Sequence, residues 1–183
     1  MFSLNDKVVY PGHGVAKISN IVSRFVAGNL VVFYELKFQS KEMTIMVPKD
    51  RIDEVGIRAL SSSSYINDTL DIMMKPAQKL TNFESATMNW NKRNKEYQSK
   101  LRTGSLLDIS EIYRDLKFIS RFKELSFGEK GLLVKTEALL AEEISAAEHI
   151  EEDKALERLR ALFASITFFE DKKSKGSTHK IAL

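Results

Sequence analysis

The most distinctive group of residues in the sequence is a tryptophan within a basic stretch. Trp90 is the single tryptophan of the chain, and it lies in Asn89-Trp90-Asn91-Lys92-Arg93-Asn94-Lys95. Lysine and arginine side chains attract phosphates without regard to base sequence, and a flat ring beside them can insert against or between bases. This stretch therefore predicts contact with nucleic acid.

Helical geometry offers a different interpretation of Trp90. At about 100° per residue, one face of a helix carries Trp90, Asn94, Tyr97 and Leu101, and the basic residues spread across the opposite face. An aromatic stripe usually marks a buried face, so geometry alone favours Trp90 as a core residue. Its place in the first turn, after a polar linker, leaves room for the ring to overhang the edge of the bundle.

Charge is unevenly distributed along the second half of the chain. Residues 88–102 contain five basic residues and one acid, whereas residues 137–160 contain eight acids and three bases. The intervening helix is predicted to carry further bases on the side opposite its apolar stripe: Arg114, Lys117, Arg121 and then Lys123. Such segregation favours a nucleic-acid surface on one side of a helical bundle; the alternative is a set of solvated charge runs.

Signals for catalysis are poor. Cysteine is absent, and the three histidines, His13, His149 and His179, are widely scattered. Gly128-Glu129-Lys130-Gly131 does not have the spacing of a Walker phosphate loop. The pair Glu142-Glu143 is interpreted as a solvated helix face, because no adjacent histidine offers the spacing of a di-iron site. We therefore predict a protein that is not an enzyme and that needs no cofactor or metal.

The size and apolar content of the chain define its broad class. With 183 residues and a net charge of +3, the chain can form one large domain or two small ones. The N-terminus lacks a basic segment followed by an apolar run, and no apolar stretch approaches the roughly 20 residues that span a bilayer. We expect a cytoplasmic protein that is not associated with a membrane.

The first 58 residues predict a small, strongly bent antiparallel β-barrel. Stretches rich in β-branched and aromatic residues alternate with polar turns, the clearest of which are Pro11–Gly14 and Ala27–Asn29. The expected strands are Val8–Tyr10, Val15–Val26, Leu30–Phe38 and Met43–Pro48. The last of these is apolar on both alternating sets, which favours either pairing with a partner's strand or burial on both faces.

Helical periodicity replaces this pattern after the serine run at 61–64. A short helix over 65–74 must end at Pro76, and residues 77–88 are expected to form a linker. Later helices are predicted over about 90–102, over a stretch with an apolar stripe from Ile109 to Ile119, from the capping-box sequence Ser126-x-x-Glu129 to about 147, and over 152–169. The predicted fold is α+β with two domains: 1–60, then 61–88 as helix and linker, 89–169 as a helical DNA-binding domain, and 170–183 as a basic, disordered tail.

Five motifs, in this order and spacing, resemble the CarD-like (CdnL) bacterial transcription regulators over about residues 1–165. The motifs are Val9–Val15, Met46–Pro48, Asn89–Arg93, Ser110–Leu116 and Leu125–Lys130. The N-terminal part is also similar to the RNA-polymerase-interacting domain of transcription-repair coupling factors.

This resemblance implies a Tudor-like barrel that docks on the β subunit of RNA polymerase and a helical domain on promoter DNA. The tryptophan matched by Trp90 would wedge into the minor groove at the upstream edge of the melted region and hinder collapse of the bubble, which favours an exposed ring. The protein would act as a monomer associated with the nucleoid through polymerase. The alternative is an adaptor that binds polymerase or another protein without touching DNA.

The resemblance and the basic stretch together give the expected site residues. The DNA-binding set is Trp90, Lys92, Arg93, Lys95 and Lys130. The polymerase-binding set is Arg24, Phe25, Val26, Met46, Val47 and Pro48. Met46 stands where some relatives carry an arginine, so apolar packing must replace that contact here.

Overall fold

The protein has two structural units, a β-sheet followed by a helical bundle. The computed structural model describes residues 1–75 and 90–164. The chain order, with strands first and helices after, is the predicted α+β arrangement. Three predictions lie outside the described residues: the linker at 77–88, the last residues (165–169) of the 152–169 helix, and the tail at 170–183.

The sheet has five antiparallel strands in the order β4-β3-β2-β1-β5. The strands are β1 (Lys7–Tyr10), β2 (Gly14–Val26), β3 (Asn29–Phe38), β4 (Thr44–Pro48) and β5 (Arg58–Ala59). A 3₁₀ turn, Lys49–Arg51, and a one-turn helix α1, Ile52–Val55, connect β4 to β5. Strands β4 and β5 are therefore the two edges of the sheet.

The long β2–β3 hairpin closes through a two-residue turn. Ala27 and Gly28 both have positive φ, 50° and 82°, as a type I′ turn requires. The turn predicted at 27–29 is therefore confirmed, with Asn29 as the first residue of β3. The register shifts between Ile18 and Asn20, and such a bulge bends and twists the strands.

One face of the sheet forms its own core. Alternating side chains of the strands pack with residues that follow β4, and the buried set includes Val8, Ile18, Tyr34, Leu36, Val47, Ile52 and Ile57. Alternation of this kind is what a sheet with one buried face requires.

The helical bundle contains five helices among the described residues. They are α2 (Ser63–Met73), α3 (Trp90–Thr103), α4 (Leu106–Ile119), α5 (Phe127–Glu148) and α6 (Glu152–Ala164). Serines cap three of them: Ser62, Ser105 and Ser126 each accept a hydrogen bond from an amide of the first turn. The capping box predicted at Ser126 and Glu129 is confirmed, with both reciprocal bonds present.

The predicted apolar stripe of α4 forms the centre of the bundle. Its residues Ile109, Ile112, Tyr113, Leu116 and Ile119 are all at most 3% exposed. All but Ile119 share one core cluster with side chains of the neighbouring helices, among them Leu140 and Ile144 of α5 and Leu159 of α6.

Two adjacent carboxylates of α5 join the bundle to the sheet. Arg58 of β5 donates to both oxygens of Glu143 at 2.7 and 2.8 Å and also to the carbonyl oxygen of Gly104. Ser61 donates to Glu143 through its backbone amide and its hydroxyl. Glu143 is only 2% exposed, so this pair of charges is largely shielded from water.

The neighbouring Glu142 reaches the turn between β1 and β2. It accepts a hydrogen bond from Ser40 Oγ at 3.0 Å and lies against Gly14, where an added Cβ would come within 2.0 Å of Glu142 Oε2. Burial raises the pKa of the Glu142 carboxyl, and hydrogen bonds from Ser40 and the Val15 amide partly oppose that rise. The interpretation of Glu142-Glu143 as a solvated face is therefore wrong, because both carboxylates are buried against the sheet.

Candidate nucleic-acid interface

Trp90 is the first described residue of α3, and its ring rests on the start of α5. A Cβ added to Gly128 would lie 3.2 Å from the indole Cζ2 and 3.7 Å from Cε2 and Nε1. Because Gly128 has no side chain, the indole packs directly on the backbone there, and a larger residue would displace the ring. We call this contact between Trp90 and Gly128 the Trp90 seat. Trp90 is partly buried at the margin of the helical core. The ring is therefore neither fully buried, as helical geometry alone favoured, nor fully exposed.

Arg93 lies beneath this seat in a buried ion pair. Its Nη2 atom is 2.8 Å from Oε1 of Glu129, and the two side chains are 9% and 0% exposed. Three residues along a helix bring Arg93 to within about 60° of Trp90 around the axis. The expectation that the basic residues of α3 all lie opposite Trp90 is therefore wrong for Arg93, whose charge is turned toward α5.

Glu129 is the centre of a small polar network. Besides Arg93, its carboxylate accepts hydrogen bonds from Lys123 Nζ at 3.1 and 3.2 Å and from the Ser126 amide at 2.9 Å. Burial alone raises the pKa of the Glu129 carboxyl, but the bonds from Ser126 and Lys123 outweigh it and leave that pKa below its usual range. The network therefore holds an ionised carboxylate that ties the first turn of α3 to the first turn of α5.

Three predicted DNA-binding lysines remain on the surface near this end of the bundle. Lys92 and Lys95 are exposed on α3, about 140–160° around the axis from Trp90. Lys130 is exposed in α5, where its Nζ is 2.6 Å from an oxygen of Glu124, itself 85% exposed. Exposed pairs of this kind contribute little to stability, so Lys130 can exchange Glu124 for a phosphate at small cost.

The basic outer face predicted for α4 is largely neutralised within the bundle. Lys117 pairs with Glu137 at 3.8 Å and lies over the Tyr113 ring, and Arg114 contacts Asp115 at 3.4 Å. Glu137 also binds Arg160 at 2.7 Å. Arg114 and Lys117 are thus paired with acids within the bundle, so the predicted basic outer face of α4 is wrong for these two residues.

Phe127, which sequence reasoning missed, stands beside the Trp90 seat. It is the first residue of α5 and is 95% exposed. The only signal for it in the sequence is an aromatic residue between a capping serine and a glycine. Within residues 1–75 and 90–164, Phe127 exceeds every large apolar side chain except Met1 in exposure.

The other set of predicted site residues lies on the sheet. Arg24, Phe25 and Val26 are exposed near the tip of the β2–β3 hairpin, with Phe25 at 78%. Strand β4 is an edge that pairs only with β3 in the described part of the chain. Its Met46 and Pro48 are partly buried, whereas Val47 is 4% exposed and belongs to the sheet core. Val47 can therefore offer a partner only its backbone.

Other kinds of site lack support in the described residues. No group of three or more metal-binding side chains occurs within residues 1–75 and 90–164. In that part of the chain no helix has both the length and the apolar character needed to cross a membrane.

Comparisons with known proteins give the same order of domains. Residues 2–61 match the model of the "CarD-like/TRCF RID domain", which is Tudor-like, and residues 78–160 match that of the "CarD, C-terminal domain". The chain is also similar to "Putative transcription factor YdeB" of Bacillus subtilis (strain 168), at 25% identity over 152 residues, which is 83% of this chain and 95% of that protein. Together the two models cover most of the chain, and they confirm both the resemblance and the Tudor-like fold of the sheet domain. The protein therefore belongs to the CarD-like family of transcription regulators, whose members are not enzymes.

Proposed function

We propose that this protein binds the β subunit of RNA polymerase and promoter DNA together, and stabilises the open complex by wedging Trp90 into the minor groove at the upstream edge of the bubble. The observation that carries the proposal is the seat of Trp90, a partly buried indole on Gly128 above a buried ion pair. Membership in a family of transcription regulators supports a role in transcription.

A supported indole suits a wedge better than a freely rotating one. Inserting an apolar side chain between bases requires an unstacked step, which a melted fork already provides. A ring that is fixed beforehand loses little conformational freedom on binding. Stabilising the open state by about 1.4 kcal/mol shifts its equilibrium tenfold.

The lysines give weak attraction to DNA that does not depend on sequence. If Lys92, Lys95 and Lys130 each neutralise one phosphate, the logarithm of the binding constant falls with the logarithm of salt at a slope near −2.7. Such affinity is low for free DNA. Docking on polymerase makes the contact effectively intramolecular, so tethering compensates for the small number of contacts.

The open edge of the sheet supplies a surface for polymerase. Among the described residues strand β4 pairs with β3 alone, so a partner strand can extend the sheet at its outer edge by main-chain hydrogen bonds. Arg24 supplies a charge and Phe25 and Val26 an apolar contact at the hairpin tip. Met46 and Pro48 contribute from the face of β4 opposite the sheet core.

Two of the expected contact residues take different roles in this proposal. Arg93 positions Trp90 through Glu129 rather than meeting a phosphate. Val47 anchors β4 in the sheet core.

The proposal is tested by the lifetime of open complexes formed by bacterial RNA polymerase on a promoter. Trp90→Ala should shorten the lifetime at saturating protein, whereas Tyr65→Ala, a change at an aromatic residue 43% exposed on α2, should not. Arg24→Glu should weaken binding to isolated β subunit without altering affinity for DNA. Equal lifetimes with wild type and Trp90→Ala would remove the wedge mechanism.

An adaptor without DNA contact is the second candidate, favoured by the ion pairs that neutralise α4. Under that function the bundle is a platform for protein. Replacing Lys92, Lys95 and Lys130 by glutamate would then leave activity unchanged and insensitive to salt. Lower activity of this variant, together with wild-type activity that falls as the salt concentration rises, favours DNA binding instead.

A further inference from the structure

Phe127 has an exposure that its place in the fold does not explain. Its side chain is 95% exposed at the start of α5, so it contributes almost nothing to the packing of the bundle. A single exposed apolar residue is common in proteins. This one, however, directly precedes Gly128, the residue on which the Trp90 ring lies.

The backbone that carries Phe127 is held on both sides. Ser126 Oγ accepts a hydrogen bond from the Glu129 amide at 3.3 Å, and Glu129 Oε2 accepts one from the Ser126 amide at 2.9 Å. These two bonds close around Phe127 and Gly128, and Glu129 is anchored in turn by Arg93. The aromatic side chain therefore projects from a fixed backbone position next to Gly128, on which the indole lies.

The surroundings of Phe127 favour a nucleic acid as its partner. Lys130 lies three residues along the same helix, so the two side chains are neighbours on its surface. The Glu124 partner of Lys130 is itself 85% exposed and easily replaced. A flat ring next to an exposed cation matches a base next to its phosphate.

We infer that Phe127 is a second DNA-facing aromatic residue, which stacks on an unpaired base of promoter DNA beside the step that Trp90 occupies. The inference rests on the proposed function and extends it, because the wedge becomes a pair of rings set on one helix start. Trp90 meets the duplex edge, and Phe127 holds a base that melting has released. Gly128 separates the two rings and allows the indole to approach the backbone.

Open-complex lifetime, measured with polymerase and promoter at saturating protein, tests the inference. Phe127→Ala should shorten the lifetime at least about fivefold, which corresponds to about 1 kcal/mol, and should leave the unfolding midpoint unchanged. Phe127→Tyr should retain the lifetime, whereas Phe127→Leu, which is apolar but not planar, should shorten it. Val134→Ala is the matched control, because Val134 is 66% exposed on the same helix, about two turns away.

The pattern of results separates this inference from the proposed function. If Trp90→Ala shortens the lifetime and Phe127→Ala does not, the second ring is refuted and the proposed function stands. If neither does, the wedge itself is refuted. A Phe127→Leu protein equal to wild type would overturn stacking.

Cross-linking identifies what Phe127 touches. A benzophenone analogue of phenylalanine at position 127 should form a photo-adduct with promoter DNA near the upstream fork, and the same analogue at position 134 should not. If the analogue at position 127 cross-links to polymerase and not to DNA, Phe127 contacts protein and the inference is overturned.

Discussion

Replacing Arg93 by methionine distinguishes a positioning residue from a phosphate-binding one. Removing one partner of a buried ion pair costs about 3–5 kcal/mol, because the other charge remains buried without compensation. Glu129 keeps Lys123 and its capping bond, so we expect the lower end, about 3 kcal/mol. For a urea m-value of about 2 kcal/mol per molar, the unfolding midpoint falls by about 1.5 M.

The measurement is urea unfolding followed by circular dichroism and by the fluorescence of the single tryptophan. Lys95→Met, at an exposed position of the same helix, should change the free energy of unfolding by no more than about 0.5 kcal/mol. In DNA binding, the larger effect should come from Lys95→Met and not from Arg93→Met. Lys95→Met should reduce the salt slope by about 0.9, whereas Arg93→Met should leave that slope unchanged while its fold is intact.

A double substitution provides a further check. Glu129→Gln keeps a side chain that suits the capping box but removes the charge. The loss of unfolding free energy in the double variant Arg93→Met/Glu129→Gln should therefore be smaller than the sum of the losses in the two single variants. The reasoning is refuted if Arg93→Met costs less than about 1 kcal/mol and lowers the salt slope, as a surface phosphate contact would.

Three further outcomes follow from glycine contacts and from one carboxylate. Gly128→Ala should change the free energy of unfolding by no more than about 1 kcal/mol yet shift the indole emission; unaltered emission would contradict the seat. Gly14→Ala should cost more than about 2 kcal/mol in thermal or urea unfolding, because φ is +102° and the new Cβ would displace the Glu142 carboxylate; a smaller loss would show that this turn tolerates a side chain. The hydrogen bond from Arg160 is the main reason that the pKa of Glu137 lies below its ordinary value of 4.5, so its stabilisation is present above pH 4.5 and is lost as pH falls through the folded-state pKa. The difference in unfolding free energy between wild type and Glu137→Gln should therefore shrink in acid, and a constant difference would count against the ion pair.

Features governed by neighbouring residues could be predicted from the sequence. The capping box needs only Ser126 and Glu129 three positions apart, and the hairpin turn needs only residues at 27 and 28 that accept positive φ. The apolar stripe of α4 likewise follows from its period. Each of these features depends on residues close together in the sequence, so tertiary contacts did not change the predicted outcome.

Features that depend on distant partners could not be predicted in this way. Arg93 meets a carboxylate 36 residues away, and Arg58 meets Glu143 85 residues away. A helical wheel shows directions around one helix, but it does not show which neighbour lies there. For that reason the charge runs suggested a broad basic face where the fold pairs most of those charges.

The clasp between Arg58, Glu143 and the Gly104 carbonyl has a consequence for how promoters would be recognised. These hydrogen bonds join the sheet to the bundle, and so they restrict how far β4 can move relative to the indole. Under the proposed function, the protein would reach DNA at a fixed number of base pairs from the polymerase active centre, whatever bases occur there. Promoters would then differ in their response through the energetics of melting at that distance, and not through a recognition sequence.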